Sequence, residues 1–177
     1  MILAGLDIET TGTDPNKYHR LIQIGIAVKD GPTLKLDIRP DGPLMIEPEA
    51  LAINGFTLTR IDQGVDRRYA DRYIASFLKQ KGFKPNSLTP VGWNVGGFDL
   101  VFVKRELPRT AEFFAYRALD LTGLAIMYEL KTGKSYQGLK EEFNKKIAEM
   151  LGRDEQHDAL YDAEAALLAI DLFKEVL

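Results

Sequence analysis

Two acidic residues stand at the end of the most hydrophobic segment of the chain, where they can take part in chemistry. The run Ile2–Ile8 is typical of a buried strand, and it carries Asp7 and leads into Glu9. Residues two apart on a strand project from the same face, so these carboxylates repel each other unless one is protonated or a cation lies between them. The alternative is that both begin the turn at Thr10-Thr11-Gly12 and are hydrated.

A third carboxylate, Asp162, lies on the small apolar stripe of the last predicted helix, Asp158–Val176. The residue three positions before it and those three, four and seven positions after it are alanines. Desolvating an unpaired carboxylate costs several kcal/mol, so Asp162 is expected to be paired, protonated or metal-bound. A hydrated edge position or a salt bridge to a distant basic residue is the alternative.

One more acid and a histidine complete the set of candidate site residues. Asp99 opens a predicted helix directly after Gly96-Gly97, which lets the backbone approach another strand or a phosphate. An aspartate in a first helical turn is also an ordinary partner of the helix dipole. His157 precedes Asp162 by five residues, about 140° around a helix, so the two cannot share a helical face. We therefore predict His157 in the loop before the helix, free to swing over the site.

Composition restricts which metal these acids can bind. The chain has no cysteine, and His19 and His157 are its only histidines. Thiolate zinc sites, iron–sulfur clusters and a cysteine nucleophile are thereby excluded, and a metal would have to be held mainly by carboxylates, which favours the hard ions magnesium, manganese or calcium. With 26 acidic and 23 basic residues, the net charge of −3 argues against non-specific coating of duplexes, but not against a local nucleic-acid groove.

The elements that must position these residues follow a mixed α/β pattern. The predicted strands are Ile2–Ile8, Leu21–Val28, Leu34–Ile38, Leu88–Trp93 and Ala115–Leu119. The predicted helices are Pro48–Asn54, Asp66–Gln80, Phe98–Glu106, Thr122–Leu130, Leu139–Met150 and Asp158–Val176. The first three strands form an antiparallel meander, and strands and helices alternate after it.

Length and hydropathy indicate one domain, residues 1–177, without an internal repeat or linker. No apolar run approaches the roughly 18 residues that a membrane span needs, and no basic leader precedes Asp7. We therefore expect a cytoplasmic protein without a membrane partner.

Taken together, three segments resemble the motifs of the DEDDh 3′–5′ exonucleases, which include DnaQ-like proofreading subunits and oligoribonucleases. They occur in the family's order and span nearly the whole chain: Asp7-Ile8-Glu9-Thr10-Thr11-Gly12, Asn94-Val95-Gly96-Gly97-Phe98-Asp99 and His157-Asp158-Ala159-Leu160-Tyr161-Asp162. The resemblance implies an RNase H-like α/β fold, in which a mixed five-stranded sheet, an antiparallel meander plus parallel strands, has helices on both faces.

The resemblance also implies roles for individual residues. Two Mg²⁺ or Mn²⁺ ions would be held by Asp7, Glu9, Asp99 and Asp162, with His157 as the general base. The resemblance further implies that five other residues of the first two motifs contact the substrate: Thr10, Thr11, Gly12, Asn94 and Phe98.

The implied activity is removal of nucleotides from the 3′ ends of single-stranded DNA or RNA. Two ions about 3.5–4 Å apart can activate a water and stabilise the leaving 3′-oxygen, which agrees with the carboxylate-only metal site. A polymerase or replication partner and the oligomeric state are left open.

Departures from the family pattern leave the substrate open. Trp93 precedes Asn94 where many relatives have histidine, and Thr13 follows Gly12 where many have a bulky apolar residue. An oligoribonuclease-like enzyme acting on short RNA is therefore one alternative. A second is an RNase H-like endonuclease or resolvase, which needs no histidine at position 157. A third is a nucleic-acid-binding module of the same fold that has lost catalysis.

Overall fold

The computed structural model describes all 177 residues, as a mixed sheet covered by helices. The strands are β1 (Ile2–Thr10), β2 (Leu21–Val28), β3 (Thr33–Arg39), β4 (Val65–Asp66), β5 (Leu88–Gly92) and β6 (Leu119–Asp120). The helices are α1 (Pro48–Asn54), α2 (Leu58–Gln63), α3 (Arg67–Gln80), α4 (Asp99–Glu106), α5 (Pro108–Ala111), α6 (Leu121–Thr132), α7 (Tyr136–Leu151) and α8 (Ala159–Val176). None of these helices has the combination of length and apolar character that crossing a bilayer requires.

The sheet has the strand order β4-β3-β2-β1-β5-β6. Strands β1, β2 and β3 pair antiparallel as the predicted meander. Strand β5 then pairs parallel to β1, and β6 parallel to β5. The carboxyl ends of β1 and β5 therefore lie at the same edge of the sheet, and the loops that follow these two strands meet there.

The two faces of β1 carry different side chains because successive residues of a strand point in opposite directions. Ala4, Leu6 and Ile8 are buried in a core that they share with α3 and α4. Asp7 and Glu9 project to the opposite face, where α6, α7 and α8 pack around a second core. The helices on both faces confirm the predicted layering, and the acids lie on the side of α8.

Two glycines bring α8 unusually close to the sheet. A Cβ atom at Gly5 would lie 1.9 Å from the carbonyl oxygen of Ala163, and one at Gly25 would lie 2.1 Å from that of Ala159. Gly25 is paired with Asp7 in the register of β1 and β2. This close approach places the first turns of α8 directly over the acid-bearing part of β1.

Several predicted boundaries change in the structure. The sheet has six strands instead of five, because Val65–Asp66 adds a two-residue strand beside β3. The predicted strand Ala115–Leu119 is wrong: β5 pairs with Leu119–Asp120 and, in an isolated bridge, with Phe114, whereas Tyr116 and Arg117 between them are exposed to solvent. Helices α2 and α5 were not predicted, since six and four residues are too short to show a helical period.

Candidate active site

Four carboxylates converge at the carboxyl end of β1. Asp7 and Glu9 lie within β1, which runs to Thr10, so they belong to the strand and not to the following turn. Asp99 reaches this strand from α4, and its Oδ1 accepts a hydrogen bond from the backbone N–H of Ile8 at 3.1 Å. Asp162 comes from the first turn of α8 and forms no salt bridge with a basic residue. The predicted set of acids is therefore brought together.

Asp99 is oriented by a tight turn between β5 and α4. The carbonyl oxygen of Asn94 accepts hydrogen bonds from Gly97 N at 3.0 Å and Phe98 N at 2.9 Å. Asn94 itself has a φ of 53°, and its N–H donates to Asp120 Oδ1 at 3.0 Å. Because Asp120 is the N-cap of α6, the turn that carries Asp99 is fixed to a neighbouring helix.

The loop before α8 places His157 beside two of the acids. Its backbone N–H donates to Asp162 Oδ2 at 2.9 Å, and its φ of 66° turns the chain sharply before the N-cap, Asp158. One ligand atom each of Glu9, His157 and Asp162 lies within 4.8 Å of the others. The imidazole is exposed, as predicted for a residue of the lead-in loop.

The electrostatics of the cluster suit a divalent cation. Burial raises the pKa of Asp7 well above its usual value, and the charges of Asp99, Asp162 and Glu9 raise it further. Burial followed by the charge of Asp162 raises the pKa of Glu9 to about 8, although a hydrogen bond from Asn54 opposes this shift. Oxygen donors that repel one another in this way match the ligands of a hard divalent ion.

The other two acids are shifted in the same direction. Burial raises the pKa of Asp99 to about 7, against the opposing hydrogen bond from Ile8. Burial likewise raises the pKa of Asp162 to about 6, and the hydrogen bond from His157 opposes the shift. All four carboxyl groups are therefore more easily protonated in the folded chain than in the unfolded one.

These shifts predict how stability depends on pH and on metal. Between about pH 4 and pH 8 the folded chain binds more protons than the unfolded chain, so without metal its free energy of unfolding falls as the pH rises. A divalent ion replaces these protons. At a concentration of about 100 times its Kd, the ion raises the free energy of unfolding by about 2.7 kcal/mol, which corresponds to roughly 5–10 °C in melting temperature.

Thermal unfolding at pH 5 and pH 8, with chelator and with millimolar Mg²⁺ or Mn²⁺, checks this prediction. We expect the metal to raise the melting temperature at pH 8 and to have little effect at pH 5. An equal melting temperature with and without metal at pH 8 would contradict a metal site at these acids.

Gln23 is a positioning residue that the sequence did not indicate. Its side chain is fully buried on β2, opposite Glu9 in the strand register. Gln23 Oε1 accepts a hydrogen bond from the first amide of α8, Ala159 N, at 2.8 Å, and Nε2 donates to Asp37 Oδ1 at 2.6 Å. Asp37 in turn accepts two hydrogen bonds from Arg60. This chain of bonds connects the start of α8 to the sheet.

Replacing Gln23 with leucine is expected to lower nuclease activity by about 10–100-fold, because it leaves the Ala159 amide unpaired and releases the turn that carries Asp162. The control is Gln80→Leu, a change on the exposed end of α3. Activity assays at saturating Mn²⁺, with circular dichroism to verify folding, measure the effect. Full activity in a folded Gln23→Leu variant would show that this hydrogen bond does not position α8.

Other residues of the first two motifs are mostly engaged within the chain. Thr10 Oγ1 donates to Gly12 O at 2.8 Å, and Thr11 Oγ1 donates to Met45 O at 2.7 Å. Gly12 lies against the buried ring of His19, where a Cβ atom would be 2.6 Å away. Their predicted contacts with substrate would therefore come from the backbone and stay a prediction.

The remaining two predicted substrate residues differ in exposure. Asn94 is exposed beside the turn. Phe98 is partly buried and packs on Phe102, with ring centroids 5.2 Å apart, so its main observed role is to anchor the start of α4. A substrate contact from either residue stays a prediction.

A cavity of about 270 Å³ opens beside the acids. Asp7, His157 and Asp162 line it together with Trp93 and side chains of α7. From α7, Tyr136 and Lys140 were not singled out by the sequence, because only the packing of α7 against α8 brings them here.

The family comparison covers nearly the whole chain. The RNase_T exonuclease family model matches residues 5–170, a range that contains all four acids and His157. This chain belongs to the DEDDh 3′–5′ exonucleases. The oligoribonuclease of Photobacterium profundum is 28% identical to this exonuclease over 172 residues, 89% of either chain. The oligoribonuclease of Aliivibrio fischeri is 31% identical over 134 residues, 68% of this exonuclease and 71% of the relative.

Solved structures share the fold of this exonuclease. The nuclease domain of 3′hExo, a DEDDh family member bound to rAMP, gives a TM-score of 0.66 at 18% identity and covers 98% of this chain and 92% of that one. Exonuclease I of E. coli, in complex with a dT13 oligonucleotide, gives a TM-score of 0.69 at 18% identity over 99% of this chain. This exonuclease spans only 41% of the length of that protein. The RNase H-like fold is confirmed.

Enzymes of this exonuclease family generally depend on a divalent metal. The four carboxylates fit that dependence, since they offer hard oxygen donors whose mutual repulsion a cation relieves. His157 stands beside two of them, with a ring nitrogen within 4.8 Å of a carboxylate oxygen of Glu9 and of Asp162.

Proposed function

We propose that this chain, as one domain, removes nucleotides from the 3′ ends of single-stranded nucleic acid with two Mg²⁺ or Mn²⁺ ions bound by Asp7, Glu9, Asp99 and Asp162. The observation that carries the proposal is the convergence of these four carboxylates: burial raises the pKa of each, and the charges of the other acids raise the pKa of Asp7 and Glu9 further. Two bound ions would supply a nucleophilic water at neutral pH and stabilisation of the leaving 3′-oxygen. Nothing in this chemistry requires a polymerase partner.

His157 supplies the proton transfer in this proposal. Its loop position beside Glu9 and Asp162 gives the imidazole room to reach a water at the acids. The water loses a proton to the imidazole as its oxygen attacks phosphorus, the bond to the 3′-oxygen of the remaining strand breaks, and that oxygen takes up a proton from solvent to become the new 3′-hydroxyl. The products are a nucleoside 5′-monophosphate and a strand shortened by one nucleotide.

The second candidate substrate is short RNA. The relatives from Photobacterium profundum and Aliivibrio fischeri are both oligoribonucleases. An enzyme with this preference would degrade short RNA faster than longer strands.

Incubation with 5′-labelled single-stranded DNA and RNA, of two to twenty nucleotides, tests both candidates. We expect a ladder that shortens from the 3′ end with Mg²⁺ or Mn²⁺ and no cleavage with chelator. Internal fragments would instead indicate an endonuclease, and binding without cleavage would indicate a silent module. The ratio of rates on RNA and DNA, and on short and long strands, decides between the substrates.

A further inference from the structure

An aromatic wall continues from the acids along the cavity beside them. We define this wall by Trp93, Tyr136 and Lys140, which line the cavity together with Asp7 and His157. The same three residues also line a second cavity of about 410 Å³ between α6 and α7. The wall therefore lies between the cavity beside the acids and an adjoining groove.

Trp93 is the exposed part of this wall. It follows β5, and 41% of its surface remains accessible, although a large apolar ring gains free energy when it is covered. Its ring lies 5.1 Å from that of Tyr136 and 6.2 Å from that of Phe173, measured between centroids. Tyr136 is itself stacked on Phe173 at 5.7 Å. The indole is therefore held in a fixed position with part of its surface open.

Lys140 adds a positive charge one helical turn after Tyr136. Its side chain is exposed and forms no ion pair or hydrogen bond within the chain, so its ammonium group is available to an external anion. An aromatic surface beside a free cation, at the edge of an acid site that cleaves phosphodiesters, is the pattern by which proteins bind single strands without reading their sequence.

We propose that Trp93, supported by Tyr136, stacks against one nucleobase of the substrate strand, and that Lys140 contacts a phosphate of the same segment. This inference rests on the proposed function and assigns a base-binding subsite to it. The subsite accepts any base, because every base presents a π-face to the indole. The subsite binds one nucleotide of the strand and takes no part in hydrolysis, which is carried out by the acids and His157.

An abasic scan tests the subsite. The rate of the first cleavage is measured on oligonucleotides that carry one abasic nucleotide at the first, second, third or fourth position from the 3′ end. For the natural chain we expect about a tenfold loss of kcat/KM at one position, the size typical of one lost base stack. On intact strands, Trp93→Ala is expected to show the same tenfold loss of kcat/KM. In this variant, an abasic nucleotide at that position is expected to cause no further loss. Trp93→Phe, which keeps an aromatic ring, is expected to keep most of the difference in kcat/KM between intact and abasic strands.

Two controls separate this outcome from unfolding and from failure of the proposed function. Methyl 4-nitrophenyl phosphate has no base, so Trp93→Ala is expected to hydrolyse it within about twofold of the natural chain. If the natural chain cleaves no oligonucleotide, the proposed function fails, whatever Trp93 does. Tyr73→Ala removes a half-exposed aromatic ring from α3, on the other face of the sheet, and is expected to change none of these rates.

The proposal is overturned if Trp93→Ala slows intact and abasic strands equally at every position, or if it slows neither. If Trp93→Ala does not fold, Trp93→Leu, which keeps an apolar side chain but lacks the ring, is put through the same scan. Lys140→Ala is expected to raise KM and to weaken the dependence of KM on salt, since it removes one phosphate contact.

Discussion

Replacing Asp7 with asparagine is expected to abolish metal-dependent hydrolysis while it makes the metal-free protein more stable. Metal ions contribute several kcal/mol to transition states of this kind, so disturbing their ligand should cost at least about a thousandfold in rate. Stability rises because the amide has no charge to bury, whereas burial and four neighbouring carboxylates raise the pKa of Asp7, so the folded chain must either hold that charge or bind a proton. A residue that is needed only for folding would show the opposite sign.

The measurement is a pair of assays on each variant at pH 8: hydrolysis of a labelled oligonucleotide with Mn²⁺, and thermal unfolding with chelator. We expect the melting temperature of Asp7→Asn to exceed that of the natural chain by more than about 3 °C, the shift that 1 kcal/mol produces in a domain of this size. Asp62→Asn, on the exposed side of α2, is the matched control. Retained activity in Asp7→Asn, or a lower melting temperature, would contradict a repulsive metal cluster.

Replacing His157 with asparagine is expected to lower kcat by about 10²–10⁴-fold and to leave metal-dependent stabilisation intact. Asparagine is chosen because His157 has a φ of 66°, a left-handed conformation that asparagine tolerates better than alanine does. The backbone N–H that donates to Asp162 is kept, so the acid should stay oriented. The loss therefore reports on the imidazole and not on the loop.

Added imidazole separates proton transfer from a role in shaping the loop. We expect it to restore part of the activity of His157→Ala, in which space for the free base is available. Glu155→Ala, in the same loop, should behave like the natural chain. If His157→Asn keeps its full rate, or loses its stabilisation by Mn²⁺, then His157 is not the general base.

The acids and the histidine were predictable because each motif is local in sequence. The alternation in β1 places Asp7 and Glu9 on one face, and the five-residue spacing keeps His157 out of the helix that carries Asp162. Both arguments need only the geometry of a strand and of a helix. The structure agrees with them, since β1 continues to Thr10 and α8 begins at Ala159.

The residues that surround and position the acids were harder to predict from the sequence. In the sequence, Gln23 is simply a polar residue in a predicted strand. Only the register of β1 with β2 and the packing of α8 show that it accepts a hydrogen bond from the Ala159 amide. Lys140 lies outside all three motifs, and only the packing of α7 against α8 brings it to the cavity beside the acids. The short strand β6 pairs over two residues, too few to leave an alternating pattern. Such features depend on tertiary packing, which a single sequence does not specify locally.

A crystal structure of the protein grown with Mn²⁺ and a short single-stranded oligonucleotide tests the central claim most directly, because anomalous scattering locates the metal independently of the chain. We expect two Mn²⁺ peaks about 3.5–4 Å apart, bounded by Asp7, Glu9, Asp99 and Asp162, with the 3′-terminal phosphodiester beside them. Crystals active with Mn²⁺ but with no anomalous peak among these four carboxylates would contradict the account.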